Sequence, residues 1–291
     1  MALAATSAVL FSAKAIVAKL TYRYDVDVVT VVALRMVLAL PVFLAVALYH
    51  RRKSGPLPAA DRVRLGLLGL FGYYLSVYLD FAGLAYISAG LERLILFLNP
   101  TLVLLLSAFV LRRRITRREW GALALSYAGI AAVFAHDASR GGRDVWIGSG
   151  LVFGAAVSYA IYLTWTGELV RRLDPVRLSA IALSVAGVAA GAHFLLTHSV
   201  STLVLPAPVY ALALANALAC TVAPVFLLAL AIERVGAPTA AQTGMIGPVA
   251  TLALGAWALG EPVTAWGLAG SALVLAGIAL LSARRVDVTP G

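Results

Sequence analysis

An all-α polytopic membrane protein with ten transmembrane helices, arranged as two inverted five-helix repeats, is the fold that this sequence predicts. Three observations lead to it: an apolar composition, ten separate apolar runs, and an internal similarity at a constant offset. Of the 291 residues, 62% are hydrophobic and only 12% are charged. A soluble domain has about 45–50% apolar and about 25% charged residues. The composition therefore indicates a chain whose main solvent is lipid.

The ten apolar runs have the lengths expected of membrane-spanning helices. A helix needs roughly 20 apolar residues to cross a hydrocarbon core of about 30 Å. Because backbone N–H and C=O groups cannot stay unpaired in lipid, these runs must be helices. The connectors are short, which excludes a large inserted domain. The runs are Ala2–Leu20, Val28–Tyr49, Leu65–Tyr86, Ser88–Val110, Trp120–His136, Ile147–Val170, Pro175–Leu196, Pro208–Leu230, Pro238–Leu259 and Thr264–Ser282.

The basic residues predict how the helices are oriented. With the N-terminus in the cytoplasm, three basic residues (Arg23, Arg140 and Arg143) lie on the far side and sixteen lie in cytoplasmic segments. The positive-inside rule then places both termini in the cytoplasm. We interpret the net charge of +10 as a topology signal facing anionic lipid, and we expect no nucleic-acid partner. The sixteen are Arg51, Arg52, Lys53, Arg62, Arg64, Arg112, Arg113, Arg114, Arg117, Arg118, Arg171, Arg172, Arg177, Arg234, Arg284 and Arg285.

The two halves of the chain resemble each other. Pro100 and Pro248 are 148 residues apart, and the same offset relates residues 128–130 to 276–278, which are both Ala-Gly-Ile. We therefore divide the chain into a first unit, 1–136, and a second unit, 137–291. Each unit holds five helices, an odd number, so the second unit must be inverted relative to the first. The charges agree, because connector 112–118 is densely basic and its counterpart 260–264 has no basic residue.

An inverted repeat also predicts a class of function. Secondary transporters are commonly built this way, and their substrate site lies near the bilayer midplane where the two units meet. We therefore predict a carrier of small polar metabolites that works by alternating access. The central cavity should be lined by the first, third, fourth, sixth, eighth and ninth helices.

Several short motifs resemble those of a known family. They are 80–84 (Asp-Phe-Ala-Gly-Leu), 91–100 (Leu-Glu-Arg-Leu-Ile-Leu-Phe-Leu-Asn-Pro), 259–264 (Leu-Gly-Glu-Pro-Val-Thr), 18–20 (Ala-Lys-Leu) and 33–35 (Ala-Leu-Arg). With these motifs and its 5+5 arrangement, the chain resembles the EamA family of the drug/metabolite transporter superfamily over nearly its whole length. One departure is Arg112-Arg113, where first repeats of the family often carry Gly-Glu. The resemblance implies export of amino acids or related metabolites across a bacterial inner membrane.

Ionisable residues inside the apolar runs are candidates for the transport site. Such residues are expensive in a membrane and face a cavity or a partner. Lys14 lies deep in the first helix, so either it faces the cavity and binds a substrate carboxylate, or a nearby carboxylate neutralises it. Asp80 and Arg93 are equally far from the turn near Tyr86, so we predict a structural ion pair between them, with proton coupling as the alternative. Arg35 and Glu92 complete this group.

Aromatic residues offer a second set of candidate substrate contacts. Tyr74 and Tyr78 are four residues apart, and Tyr159 and Tyr162 are three apart, so each pair shares one helix face. We expect the two pairs to face each other across the repeat boundary, where they could hold an amphipathic substrate; ordinary helix packing is the alternative. With Lys14, Tyr78 and Tyr159 should line one cavity.

Proline-centred segments at matching positions are candidate gates. Pro100 removes a helix hydrogen bond and can bend the fourth helix, with Phe97 and Asn99 beside it as candidate substrate contacts. In the ninth helix, Gly247 and Pro248 are the matching hinge residues, and Gln242 is a further candidate contact.

Other functions find little support in the sequence. The four histidines lie at helix ends or connectors, and we find no catalytic motif and no metal-binding cluster, so we expect neither an enzyme nor a cofactor. A membrane-embedded enzyme, or a drug or other-metabolite carrier of the same fold, stays the alternative.

Cys220 lies in an apolar run and is expected to be packed. The first run begins at Met1 without a basic segment or cleavage site, so we expect no signal peptide, and a few natural residues to precede it. Substrate identity, proton coupling and oligomeric state are left open.

Overall fold

The structure is a computed structural model, and it describes residues 1–110, 112, 114–170 and 174–282. Five of the basic residues used to predict the orientation lie outside the described residues: Arg113, Arg171, Arg172, Arg284 and Arg285.

The described residues form ten helical segments, which we label α1 to α10 in chain order. None of these residues belongs to a strand, and a short 3₁₀ turn at Val200–Leu203 precedes α8. The segments are α1 Ala2–Tyr22, α2 Val28–Ser54, α3 Ala59–Leu84, α4 Ala89–Val110, α5 117–141, α6 143–170, α7 Pro175–Thr197, α8 Ala207–Val235, α9 237–259 and α10 Ala265–Ser282.

Seven continuous helices in the described part of the chain are long and apolar enough to cross a membrane. One of them contains both α5 and α6, because the break between them is confined to Gly142, with φ 56° and ψ −134°. The predicted connector 137–146 is therefore helical except at one glycine, the residue type that adopts positive φ without strain. An all-helical, multi-pass membrane protein is thus confirmed, and the ten-span inverted arrangement stays a prediction.

Some helices extend beyond the apolar runs. α3 begins at Ala59, six residues before the predicted start at Leu65, and α2 continues through its basic end to Ser54. There Gly55 stops the helix with a φ of 74°. Charged residues in these extra turns are good helix formers that need water rather than lipid. Hydropathy therefore predicts the lipid-buried part of a helix, and the helix itself continues into the aqueous layer.

Two kinds of helix irregularity recur at the same offset of 148 residues. α4 is interrupted by a turn at Phe97–Leu98, and α9 by a turn at Met245–Ile246. α3 contains a π-helical segment at Gly69–Leu75, and α8 contains one at Leu218–Val222. Each turn precedes a proline, Pro100 or Pro248, whose missing N–H weakens the helix. Matching interruptions therefore occur in corresponding helices of the two halves.

Helices of the first half pack mainly on helices of the second half. α1 lies against α8 and α9, α2 against α7, α3 against α6, and α5 against α10. Several of these contacts depend on glycine: an added Cβ at Gly72 of α3 would lie 2.2 Å from Cβ of Tyr162 on α6, and one at Gly129 of α5 would lie 2.8 Å from the carbonyl oxygen of Gly270 on α10. Small residues at such positions let membrane helices approach closely.

We expect Gly72→Ala to destabilise the protein, because no methyl group fits between α3 and Tyr162. Overpacking of this kind costs about 1–3 kcal/mol, so the unfolding temperature in detergent should fall. The matched control is Gly66→Ala in the same helix, where no atom lies within 4 Å of the added Cβ. Equal unfolding temperatures for the two variants would contradict the close α3–α6 packing.

Candidate functional site

Lys14, in the middle of α1, contacts two carboxylates at once. Its Nζ donates a hydrogen bond to Oδ2 of Asp80 on α3 and lies 3.1 Å from Oε1 of Glu92 on α4. Asp80 lies in the last turns of α3 and Glu92 in the first turn of α4, so the hairpin between these helices brings both carboxylates to one point. The three side chains, which we call the ionic cluster, connect α1, α3 and α4.

The ionic cluster is almost completely enclosed by protein. The exposed fractions of Lys14, Asp80 and Glu92 are 9%, 4% and 0%. Oδ1 of Asp80 and Oε2 of Glu92 receive no hydrogen bond. An unpaired buried charge costs several kcal/mol, so the ammonium and the carboxylates stabilise each other. In this conformation, Lys14 is therefore neutralised by protein carboxylates.

Arg35 on α2 contacts the same phenyl ring as Lys14. The guanidinium carbon of Arg35 lies 4.9 Å from the ring centre of Phe81, and Nζ of Lys14 lies 5.7 Å from it. Nε of Arg35 donates to Oγ1 of Thr221 at 2.8 Å, and this hydroxyl donates to the carbonyl oxygen of Asn216, five residues earlier. That spacing is typical of a π-helical segment. The irregularity in α8 thus provides a polar partner for a buried cation.

Arg93, the predicted partner of Asp80, has a different environment. Its guanidinium carbon lies 5.2 Å from the ring centre of Phe97, and an added Cβ at Gly247 of α9 would lie 2.9 Å from its Nη2. Among the described residues, no ion pair within 4.0 Å joins Arg93 to Asp80. Equal distance from a turn predicts equal depth in the membrane, but it does not fix the direction of the side chains. The partner of Asp80 is therefore Lys14.

The four predicted tyrosines form two separate groups. Tyr159 and Tyr162 of α6 pack on Tyr73 of α3, with ring centres 5.8 Å and 4.9 Å away. Tyr74 and Tyr78 stack on each other at 6.4 Å and contact His193 of α7 instead. Each pair does share a helix face, but the two pairs do not face each other.

His193 has a specific role in the second group. Its Nδ1 is 2.5 Å from the hydroxyl oxygen of Tyr74, and its ring lies 5.3 Å from that of Tyr78. By its position in the sequence this histidine lies near the end of its helix, and no spacing rule links it to α3. The same holds for Tyr73, which is next to Tyr74 and points to another neighbour.

The segment around Pro100 has the polar contacts that its sequence suggests. Pro100 has no N–H to donate to the carbonyl oxygen of Leu96, and Nδ2 of Asn99 donates to that oxygen at 2.7 Å. Oδ1 of Asn99 is buried without a donor. The side chain therefore replaces part of the helix hydrogen bonding that proline removes.

The matching segment of α9 is organised around Gly247. Its carbonyl oxygen accepts hydrogen bonds from the hydroxyls of Ser12 on α1 and Thr251, both at 3.0 Å. Pro248 is buried beside it, whereas Gln242 is exposed. Gly247 of α9 thus contacts α1 through Ser12 and lies close to Phe97 of α4.

One end of the bundle is closed by contacts between its two halves. Nζ of Lys19 donates to the carbonyl oxygen of Ile87 at 2.7 Å and lies 3.0 Å from Oε1 of Glu261. The Glu261 carboxylate also accepts from the N–H of Ala89 at the start of α4, where the helix dipole favours a negative charge. Arg23 donates to the carbonyl oxygen of Leu259 at 3.1 Å. We call these contacts the Lys19–Glu261 lock.

A cavity of about 250 Å³ lies next to the lock. Its wall is largely apolar, and charged or polar groups stand at its margin; the lining includes Ser88, Leu91, Leu94, His136, Asp137, Arg140, Leu252 and Glu261. Among the described residues, no group of three or more His, Cys, Asp or Glu side chains could hold a metal ion. The described part of the chain thus contains a largely apolar cavity and, separately, the buried ionic cluster.

Buried ion pairs between helices, helix breaks at prolines and a closed bundle end are features of a polytopic carrier. The EamA-like transporter family model matches residues 1–135 and 146–283. The chain belongs to this family, and it is a membrane transporter.

Named relatives and a solved structure agree with this assignment. An uncharacterized transporter of Bacillus subtilis, YcbK, is 30% identical over 87% of this chain and 83% of its own length. An uncharacterized transporter of Archaeoglobus fulgidus is 27% identical over 88% and 89%. A protein of known crystal structure, 18% identical, superposes with a TM-score of 0.65 over 98% of each chain, and this shows a shared fold.

We expect Lys14→Met to be much more destabilising than Lys19→Met. The first substitution leaves two buried carboxylates without their ammonium, which should cost about 3–5 kcal/mol. The second removes a pair whose side chains are 24% and 19% exposed, and such pairs contribute about 1 kcal/mol or less. Unfolding of both variants in the same detergent measures the difference. A Lys14→Met protein as stable as Lys19→Met would contradict the stabilising role of the ionic cluster.

Proposed function

We propose that the protein is a secondary transporter that exports amino acids or related small polar metabolites across a bacterial inner membrane by alternating access. The observation that carries this proposal is the ionic cluster, which lies where α1, α3 and α4 meet and close to the interrupted segment of α9. An ionisable group inside a membrane bundle is expensive and is typical of a transport pathway.

The two moving parts are inverted five-helix units, residues 1–136 and 137–291. The recurrence of helix breaks and π-helical segments at an offset of 148 residues supports this division. The asymmetry of the basic connectors supports the inversion, with both termini in the cytoplasm. Pro100, Gly247 and Pro248 would then act as hinges at equivalent points of the two units.

Substrate recognition would combine the ionic cluster with nearby rings and amides. The Lys14 ammonium would bind a substrate carboxylate once the cluster opens, and Phe97, beside Arg93, would contact the apolar part. Asn99 would be a further substrate contact, because its Oδ1 is buried without a hydrogen-bond donor. Tyr74, Tyr78, Tyr159 and Tyr162 would form two walls rather than one, and Gln242 would take part only if α9 turns inward.

Alternation would require the Lys19–Glu261 lock to open. With the N-terminus in the cytoplasm, the lock lies at the outer end of the bundle, so this conformation is closed to the outside. The lock joins α1 to the connector before α10, which belong to different units. Rocking of one unit against the other would break it and expose the site to the outer medium.

We expect the purified protein in proteoliposomes to transport labelled amino acids faster than empty liposomes do. A panel of phenylalanine, leucine, serine, glutamate and lysine would define the substrate class. The matched variant is the triple substitution Lys14→Met, Asp80→Asn, Glu92→Gln, which removes the cluster without leaving an unpaired charge. Such a neutral replacement need not destabilise the fold, so it should retain normal unfolding and lose amino-acid flux.

Two results would contradict this proposal. One is the absence of flux for every substrate in the panel with the wild-type protein. The other is normal flux through the folded triple variant, which would show that the cluster serves only packing.

We also expect Lys19→Met to open the outer end of the bundle. Spin labels on Tyr24→Cys and Val263→Cys, two exposed positions near the lock, can be introduced in a Cys220→Ala background. Loss of about 1 kcal/mol from the closed state should raise the population of longer distances several-fold. The control is Lys53→Met at the opposite end, which should leave the distances unchanged. An unchanged distance distribution in Lys19→Met would exclude the lock as a gate.

A further inference from the structure

We propose that the cavity beside the Lys19–Glu261 lock is a regulatory site. It binds an amino acid with an apolar side chain from the outer medium, and the bound molecule holds the outer end of the bundle closed. This inference rests on the proposed function and adds a second site, the form of its ligand and its effect on the gate. The cavity is distinct from the ionic cluster, none of whose three side chains lines it.

The inner wall of the cavity is apolar and buried. It is formed in part by Leu91 and Leu94 of α4, Val133 of α5 and Val145 of α6, which are at most 6% exposed. An apolar cavity of roughly 150 Å³ is large enough to bind benzene, and this one has a volume of about 250 Å³. A phenyl or isobutyl side chain therefore fits, and its burial there is favourable.

Two opposite charges stand at the mouth of the cavity. Asp137 and Arg140 both line it, and because they are three residues apart they share one face of α5. Among the described residues, no ion pair within 4.0 Å involves either side chain. The Asp137 carboxylate can therefore accept from a ligand ammonium, and the Arg140 guanidinium can donate to a ligand carboxylate. A zwitterionic amino acid has this pair of charges.

Other polar groups of the lining also have unused hydrogen-bonding capacity. Nε2 of His136 is buried and has no partner in the described part of the chain. The hydroxyl oxygens of Ser88 and Thr264 accept backbone N–H groups at 3.1 Å and 3.0 Å, which leaves both O–H groups free to donate to a ligand carboxylate. A buried polar atom without a partner costs free energy. A polar ligand in the cavity would remove this cost.

The position of the cavity determines the effect of its ligand. The lining comes from α4 and α5 of the first half and from α9 and α10 of the second half. Two lining residues also belong to the lock: Glu261 pairs with Lys19, and the carbonyl oxygen of Ile87 accepts from Lys19. Rocking that opens the lock would therefore also separate the cavity walls.

A ligand that contacts both walls has all its contacts only in the closed state. It therefore shifts the population toward that state by its difference in affinity for the two states. With the N-terminus in the cytoplasm, the cavity lies at the outer end of the bundle. An amino acid that accumulates outside thus slows its own further export.

Binding to this site can be measured apart from the transport site. The triple variant Lys14→Met, Asp80→Asn, Glu92→Gln lacks the ionic cluster but keeps every residue of the cavity lining. In detergent, equilibrium dialysis should show that this variant binds labelled phenylalanine. Added Arg140→Gln should weaken the binding about tenfold or more, because a charged hydrogen-bond donor is lost. Added Arg143→Gln is the matched control and should not, since Arg143 is exposed nearby in the chain but does not line the cavity.

Analogues that lack one part of the ligand test its chemistry. Phenethylamine has no carboxylate, and alanine has no large apolar group. Each should bind at least about tenfold more weakly than phenylalanine. Equal binding of phenethylamine would overturn the recognition of a zwitterion, and equal binding of alanine would overturn the role of the apolar wall.

The effect on the gate is measured with the spin labels on Tyr24→Cys and Val263→Cys. In the Lys19→Met variant, in which longer distances should be more populated, saturating phenylalanine should reduce that population several-fold. The reduction should disappear when Arg140→Gln is also present. A population of longer distances that phenylalanine leaves unchanged or increases would overturn the closing effect.

Failure of this inference can be told apart from failure of the proposed function. Loss of phenylalanine binding in the folded triple variant, or equal binding with and without Arg140→Gln, would overturn the outer site and leave the transporter assignment intact. In proteoliposomes loaded with labelled phenylalanine, unlabelled phenylalanine outside should slow efflux through the wild-type protein but not through Arg140→Gln. Absence of any flux would instead refute the proposed function, and the binding and distance measurements would still decide whether the outer site exists.

Discussion

The buried ammonium of Lys14 is the constraint on which the centre of this structure depends. A lysine in the middle of a membrane helix needs a counter-charge, and here two carboxylates from neighbouring helices supply it. The requirement fixes how α1 lies against the α3–α4 hairpin. Because α1 also packs on α8 and α9, the ionic cluster connects the central helices of both halves of the chain. A small rearrangement of charge there would act on both halves at once.

Irregular helix geometry provides the remaining polar contacts inside the apolar bundle. The π-helical segment of α8 turns Thr221 toward Arg35, and the break before Pro100 frees a carbonyl that Asn99 then satisfies. Regular helices consume all their backbone groups internally, so they offer a membrane-buried side chain few backbone partners. Breaks and π-segments release such groups where they are needed. Their recurrence in corresponding helices indicates that both halves use the same device.

Two of the motifs that resemble the family meet in space at the closed end of the bundle. Lys19 belongs to the segment 18–20 and Glu261 to the segment 259–264, and the two form an ion pair that also caps α4. Gly260 permits the turn that aims Glu261, with a φ of 73°. These two motifs therefore help to close the bundle. The segment 91–100 instead contributes Glu92 to the ionic cluster.

The sequence by itself determined the class of the protein, the helices and their weak points. Composition and run length follow directly from the energetics of burying side chains and backbone in lipid. The absence of an N–H from proline explains why Pro100 and Pro248 mark real interruptions. The faces shared by Tyr74 with Tyr78, and by Tyr159 with Tyr162, follow from the 3.6-residue helical period.

Only the tertiary structure decided which faces meet. A helical period fixes the angle of a side chain about its own helix axis, but not the rotation of that helix against its neighbours. For that reason the choice between Lys14 and Arg93 as the partner of Asp80 could not be made from the sequence. It also could not show that Tyr73, rather than Tyr74, contacts α6, or that His193 completes the other aromatic group. Which side chains meet depends on how the helices pack. Gly72, for example, lets α3 approach Tyr162 of α6 closely, and this contact constrains the rotation of α3 about its axis.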